Sequence, residues 1–180
     1  MEKIKIYTSQ RMTGRMCDEL VNEANMLVRT CENYGFKALN PVKEENVVSS
    51  HVILNAAPER LQEYWARDKQ MIKEADILLD YATQNKSDGS NKEMGYARYC
   101  LWKPVIRVWD GPGAMISRIE DDVVVPTLGE AMQVITERWG TYTKLGAWRK
   151  ALWERCYIPW LDEQLKMNRR YQCGVQLQII

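Results

Sequence analysis

Histidine is all but missing from this chain: among 180 residues there is one, His51. A His-ligated metal centre is therefore not expected, and a Ser-His-Asp triad would rest on a residue whose neighbours give no support. Cysteine is sparse and unpatterned. The five thiols, Cys17, Cys31, Cys100, Cys156 and Cys173, form no CxxC pair and are odd in number. This argues against a disulfide framework and for core or surface thiols of a reduced, cytoplasmic protein. No run approaches the roughly 20 apolar residues of a membrane span, and the opening MEKIKIYT has no signal-peptide apolar core, so no membrane partner is expected. Neither sign of charge is in excess. With 25 basic and 24 acidic side chains the formal net charge is +1, which argues against a dedicated nucleic-acid surface and leaves room only for local patches. A P-loop, G-x-x-x-x-G-K-[ST], is also absent. Neither a metal nor a cofactor is expected.

What is present is an ordinary globular composition, 46% hydrophobic and 27% charged, in a length that suits one domain with a substantial core. The chain is organised around residues 75–109, ADILLDYATQNKSDGSNKEMGYARYCLWKPVIRVW. Ala75–Ala82 is a short apolar run after a charged segment, the pattern of a buried strand. Thr83–Ser90 is polar and holds the turn signal Asp88-Gly89. A helix is expected from Ser90 to near Trp102, broken by Lys103-Pro104, before a second apolar run at Val105–Val108. Strand, helix and strand of this length make a parallel pair with a right-handed crossover. The loop Thr83–Ser90 then lies at the carboxyl end of its strand, where open α/β sheets bind ligands.

The same unit opens the chain. Ile4–Tyr7 is expected as the first strand and Thr8–Arg15 as a polar loop. Met16–Tyr34 reads as a helix with Leu20, Ala24, Leu27, Val28 and Cys31 on one face, ended by Gly35. Phe36–Leu39 is the second strand, stopped by Asn40-Pro41. Val47–Leu54 reads as a strand or a short helix. Pro58–Glu74 is a helix in which Leu61, Trp65, Asp68, Ile72 and Ala75 share one face, while Glu59, Arg60, Glu63, Arg67 and Lys73 face away. Val123–Val125 is expected as a further strand and Leu128–Arg138 as a helix with Thr127 as its N-cap. Trp148–Met167 looks helical, with Pro159 as an interruption. The expected architecture is α/β: a flavodoxin-like three-layer fold over 1–140, with a parallel sheet of about five strands in the order 2-1-3-4-5, plus a helical C-terminal extension over 141–180. That order puts the switch point between strands one and three, flanked by Thr8–Arg15 and Thr83–Ser90.

The candidate site residues lie at these two loops and on the helix before the third strand. Ser90-Asn91-Lys92-Glu93 fits the capping box S-x-x-E, in which Glu93 satisfies the N-cap amide. The other reading makes Glu93 a carboxylate at the positive end of a helix dipole, facing the crevice and kept ionised, as a nucleophile requires. Asp88 would stay ionised beside it and assist, with Gly89 and Ser90 contacting substrate. Thr8, Ser9, Arg11, Gly14 and Arg15 form either a solvated connection or an anion seat before a helix N-terminus. Asp68, on an otherwise apolar stripe, is either paired structurally or functional, because bare burial of a carboxylate is costly. If two carboxyls are to act as acid and nucleophile, one needs a raised pKa, and Asp68 is the better candidate for it.

The series Ala75-Asp76, Asp88-Gly89, Glu93-Met94-Gly95-Tyr96-Ala97 and Lys103-Pro104-Val105 resembles that of the nucleoside 2-deoxyribosyltransferases and related nucleotide N-glycosidases, over about Lys3 to Val108. The resemblance implies an enzyme in which Glu93 matches the nucleophile of the E-x-G-x-A motif. Asp68 matches an acid that contacts base or sugar, and Tyr7 an aromatic hydroxyl near the nucleophile. It implies a small-molecule deoxynucleoside or deoxynucleotide as substrate, double displacement through a deoxyribosyl ester, and transfer of the sugar to a second base or to water. It also implies a homo-oligomer; the large aromatics of Trp139–Trp160, more than a C-terminal helix needs for its own core, make that segment an expected part of the interface.

Overall fold

Five strands form one parallel sheet: β1 (Lys5–Gln10), β2 (Lys37–Leu39), β3 (Ile77–Tyr81), β4 (Val105–Val108) and β5 (Val123–Val125), in the order β2-β1-β3-β4-β5. The helices are α1 (Cys17–Asn33), α2 (Pro41–Glu45), α3 (Pro58–Glu74), α4 (Asp88–Gly95), which runs on into a π-helix over Tyr96–Cys100, and α5 (Leu128–Trp139). This computed structural model describes residues 3–12, 15–45, 58–81, 88–109 and 123–139. The elements expected at Val47–Leu54 and Trp148–Met167, and Gly14, lie outside them. The chain divides into two units, Met1–Thr143 and Lys144–Ile180, and the described residues all belong to the first.

The flavodoxin-like α/β order is as expected, and local chemistry explains its turns. α1 buries Leu20, Ala24, Leu27 and Cys31, residues spaced for one helical face. Its end is a Schellman motif: Phe36 N–H donates to the Cys31 carbonyl at 3.0 Å and Gly35 N–H to that of Glu32 at 2.9 Å. Gly35 takes φ +84 there, a conformation that a side chain would strain. Asn40 caps α2 by accepting from Lys43 N–H at 3.2 Å, with Pro41 at the first helical position. Thr127 Oγ1 accepts from Glu130 N–H at 3.2 Å, the expected N-cap of α5. Lys103 is buried, and its ammonium donates to the carbonyls of Lys73, at 2.6 Å, and of Ala75. It thereby satisfies acceptors at the C-terminal end of α3 that no helix bond reaches.

Four expectations need correction. β1 does not stop at Tyr7 but continues through Thr8, Ser9 and Gln10, all buried. Polar residues read as a loop, yet here each hydroxyl or amide finds a partner from another element, and so the strand can stay interior. The helix after β3 begins at Asp88 rather than Ser90, and changes to π-helical winding at Tyr96. Leu61 is exposed, so the apolar stripe of α3 narrows to Asp68, Met71 and Ile72. Trp139, counted in the aromatic-rich segment, is buried rather than exposed; Trp148, Trp153, Tyr157 and Trp160 lie outside the described residues.

Register decides which residues meet. Tyr7, Leu78 and Val105 form one row across β1, β3 and β4, and Ser9, Asp80 and Arg107 form the row two residues further on. Side chains alternate along a strand, so both rows point to the same face. That face packs on α3 and α4: Tyr7, Leu78 and Val105 join Met71, Ile72, Ala75, Met94 and Ala97 in one core. The other face meets α1, where Gln10 donates to the Leu20 carbonyl at 3.1 Å.

Candidate active site

Two helices bring carboxyls to the carboxyl end of β1 and β3. Asp68 comes from α3, is buried, and has one oxygen, Oδ1, without a hydrogen-bond partner among the described residues. Glu93 comes from the second turn of α4 and is also buried. Its Oε2 accepts a hydrogen bond from Ser9 Oγ at 2.5 Å. Ser9 Oγ also lies 3.2 Å from Ser90 Oγ, a hydroxyl pair in which either member can donate. Tyr7 lies in the same layer, fully buried. Its hydroxyl has no partner at full hydrogen-bonding geometry among the described residues, although the Glu93 carboxylate is near enough to act on it both by charge and as a weak hydrogen-bond acceptor.

Burial dominates the electrostatics. It pushes the Asp68 carboxyl up to about 6, with the neighbouring Arg67 charge acting in the opposite direction. It pushes Glu93 further, to about 8; the Ser9 hydrogen bond pulls down, and the charges of Asp68 and Asp80 push up. Tyr7 is held well above the usual phenol range, first by burial and then by the Glu93 and Asp68 carboxylates. Two expectations are reversed here. The helix dipole does not keep Glu93 ionised, because a full desolvation cost outweighs a dipole contribution of about 0.3–1 kcal/mol that fades beyond the first turn. And Asp68 is raised, but Glu93 is raised more.

The remaining candidates separate. Ser9 and Ser90 join Glu93, while Thr8 points to the opposite face, where its Oγ1 accepts from Asn40 Nδ2 at 2.8 Å. The same amide donates to Gln10 Oε1 at 3.0 Å. Glu93 is not a cap, since Ser90 lies inside α4 and the carboxylate is directed to β1. Arg15 donates to Glu23 at 2.6 Å on α1, and Arg11 is half-buried beyond the end of β1. Gly89 is exposed in the first turn of α4; the Asp88 side chain lies outside the described residues.

Three features escaped the sequence reading. Arg67, expected to face away, is half-buried and stacks over Tyr64 at 5.3 Å, close enough for its charge to lower both Asp68 and Tyr7. Asp80 and Arg107 form a buried ion pair at 3.0 Å across β3 and β4. The signal for it was one charged residue inside each of two apolar strands, ILLDY and VIRV. Trp65 meets Tyr96 edge to face, 5.9 Å between centroids, beside the two carboxyl-bearing turns.

No protein-family model matches the chain, and no curated protein does. Solved structures do. A 2-deoxyribosyltransferase of Bacillus psychrosaccharolyticus aligns with TM-score 0.56 at 18% identity, over 71% of this chain and 90% of that one. The CMP N-glycosidase BcmB of Clostridium botulinum aligns with TM-score 0.44 at 16% identity, over 74% of this chain and 98% of that one. A conserved protein of Enterococcus faecalis gives 0.49 and 14%, over 76% and 99%. The likeness to the first of these is one of fold: the chain has the fold of the family that its motif series resembles.

Proposed function

We propose that this protein cleaves the N-glycosidic bond of a 2′-deoxynucleoside and passes the sugar, through an ester on Glu93, to another base or to water. One observation carries the reading. Asp68 and Glu93 are buried carboxyls from different helices, close enough for the Asp68 charge to act on Glu93, and burial raises them to about 6 and about 8. Such a pair holds one proton across neutral pH, which is what a nucleophile and an acid together require.

In the first step Glu93 Oε1 bonds to C1′, the C1′–N bond breaks, and the base leaves with the Asp68 proton. In the second step an acceptor base or water attacks C1′ and returns a proton to Asp68. The C1′–Oε1 electron pair then goes back to Glu93, so the sugar configuration is retained. Before substrate binds, the proton rests mainly on Glu93, whose carboxyl is raised more than that of Asp68. Positive charge developing at C1′ favours ionised Glu93 and draws the proton to Asp68.

The nucleoside is favoured over its 5′-monophosphate because Arg15, one of two arginines that would seat a phosphate, is engaged with Glu23. Incubation with deoxynucleosides and deoxynucleoside monophosphates, with and without an acceptor base, tests the reading by release of free base; no release from any of them refutes it. A homo-oligomer belongs to the same proposal and is checked by light scattering at micromolar concentration, where a monomer mass removes it.

A further inference from the structure

We infer that Ser9 is the positioning residue of the nucleophile: it holds Glu93 Oε2, leaves Oε1 for the sugar, and steadies the carboxylate as it departs. This rests on the reading of Glu93 as nucleophile, and the geometry behind it is separate from that reading. Ser9 and Glu93 are 84 residues apart and are joined by a buried hydrogen bond at 2.5 Å. The Ser9 backbone is fixed in the centre of the sheet, paired in register with Asp80 of β3, so its hydroxyl has one torsion left to set. Ser90, buried one helical turn before Glu93, stands 3.2 Å from the same hydroxyl. Ser9 has a single proton. When that proton goes to Glu93, Ser90 donates to the freed lone pair of Ser9, and the three groups form one ordered chain, Ser90 to Ser9 to Glu93.

This chain distinguishes the two oxygens of Glu93 and the two steps of the reaction. As the ester forms, the carboxylate loses charge. As the ester breaks, the C1′–Oε1 bond opens, the electron pair returns to the carboxylate, and negative charge builds on the Oε2 that Ser9 holds. A charge-assisted donor is stronger than one to a neutral ester oxygen, so Ser9 assists the second step more than the first. Its loss retards release of the sugar and lets the ester accumulate.

The test has one arm without substrate and one with it. In the first, the Glu93 carboxyl carbon is titrated by NMR in glutamate-labelled protein, with Glu93→Gln identifying the signal. Ser9→Ala moves that titration to higher pH by about one to two pH units, the value of a charge-assisted hydrogen bond, and Ser9→Thr, which keeps the hydroxyl, restores it. In the second, Ser9→Ala lowers kcat about ten- to a hundredfold and kcat/KM by less. Quenched samples of it carry the mass of protein plus one deoxyribosyl group. Should Ser9→Ala fail to fold, Ser9→Cys, a weaker donor of similar size, gives a smaller change in the same direction. A Glu93 titration that stays put in Ser9→Ala, or in Ser9→Cys, overturns the inference. If the titration moves while wild type releases no base, the hold of Ser9 on Glu93 stands and the proposed reaction is what fails.

Discussion

The Asp68 carboxylate on α3 acts on Glu93 of α4 through space: its charge adds to burial in raising the Glu93 carboxyl to about 8. If the active form is the singly protonated pair, kcat/KM follows a bell-shaped profile with limbs near 6 and 8. Asp68→Asn removes a like charge, so Glu93 then titrates at lower pH, and turnover falls more than substrate binding. A Glu93 titration that Asp68→Asn leaves in place would show the two groups to be uncoupled.

Glu93→Gln abolishes base release and keeps the fold, since the amide oxygen still accepts from Ser9. It also changes how stability depends on pH. Both carboxyls sit above their ordinary values of 3.8 and 4.5 in the folded protein. The folded state therefore binds more protons than the unfolded chain from about pH 4 to pH 8, and stability falls as pH rises through that window. Thermal melts should show wild type losing more Tm between pH 5 and pH 8 than Glu93→Gln. Equal losses would mean that Glu93 is not the group responsible, and retained activity would remove it as nucleophile.

Arg107 neutralises Asp80 in a layer where both are almost fully buried. Arg107→Leu alone leaves a buried carboxylate uncompensated and destabilises by about 3–5 kcal/mol. Replacing both, Asp80→Leu with Arg107→Leu, recovers most of that loss, because well-packed apolar pairs do about as well as buried ion pairs. Denaturant melts of the two single variants and the double variant measure the coupling; strictly additive losses would refute it.

Arg11 and Arg15 are the two side chains near β1 that could seat a 5′-phosphate. Arg15 is held by Glu23, so Arg15→Ala leaves the ratio of kcat/KM for deoxynucleotide and deoxynucleoside unchanged within about twofold. A charge-assisted bond from Arg11 to phosphate would be worth about 1.5–3 kcal/mol, roughly ten- to a hundredfold in that ratio. A wild-type preference of that size, erased by either substitution, would make the nucleotide the substrate.

Alternation of strand and helix, the sheet order and the helix punctuation at Gly35, Pro58 and Thr127 were legible in the amino-acid sequence, whereas the short helix that Asn40 caps was not. They follow from periodicity and from backbone chemistry that acts over a few residues. So was the position of Glu93 on the helix that follows β3, beside the carboxyl ends of β1 and β3, which the topology dictates. What only the tertiary structure decided are the partners. Thr8, Ser9 and Gln10 read as a polar loop because nothing nearby in sequence satisfies them; Asn40 and Glu93, 30 to 84 residues away, let them lie inside the sheet. Burial cannot be summed along a chain, so the order of the two carboxyl pKa values, and the pairing of Asp80 with Arg107, appear only once α3, α4 and the sheet have closed over the same face.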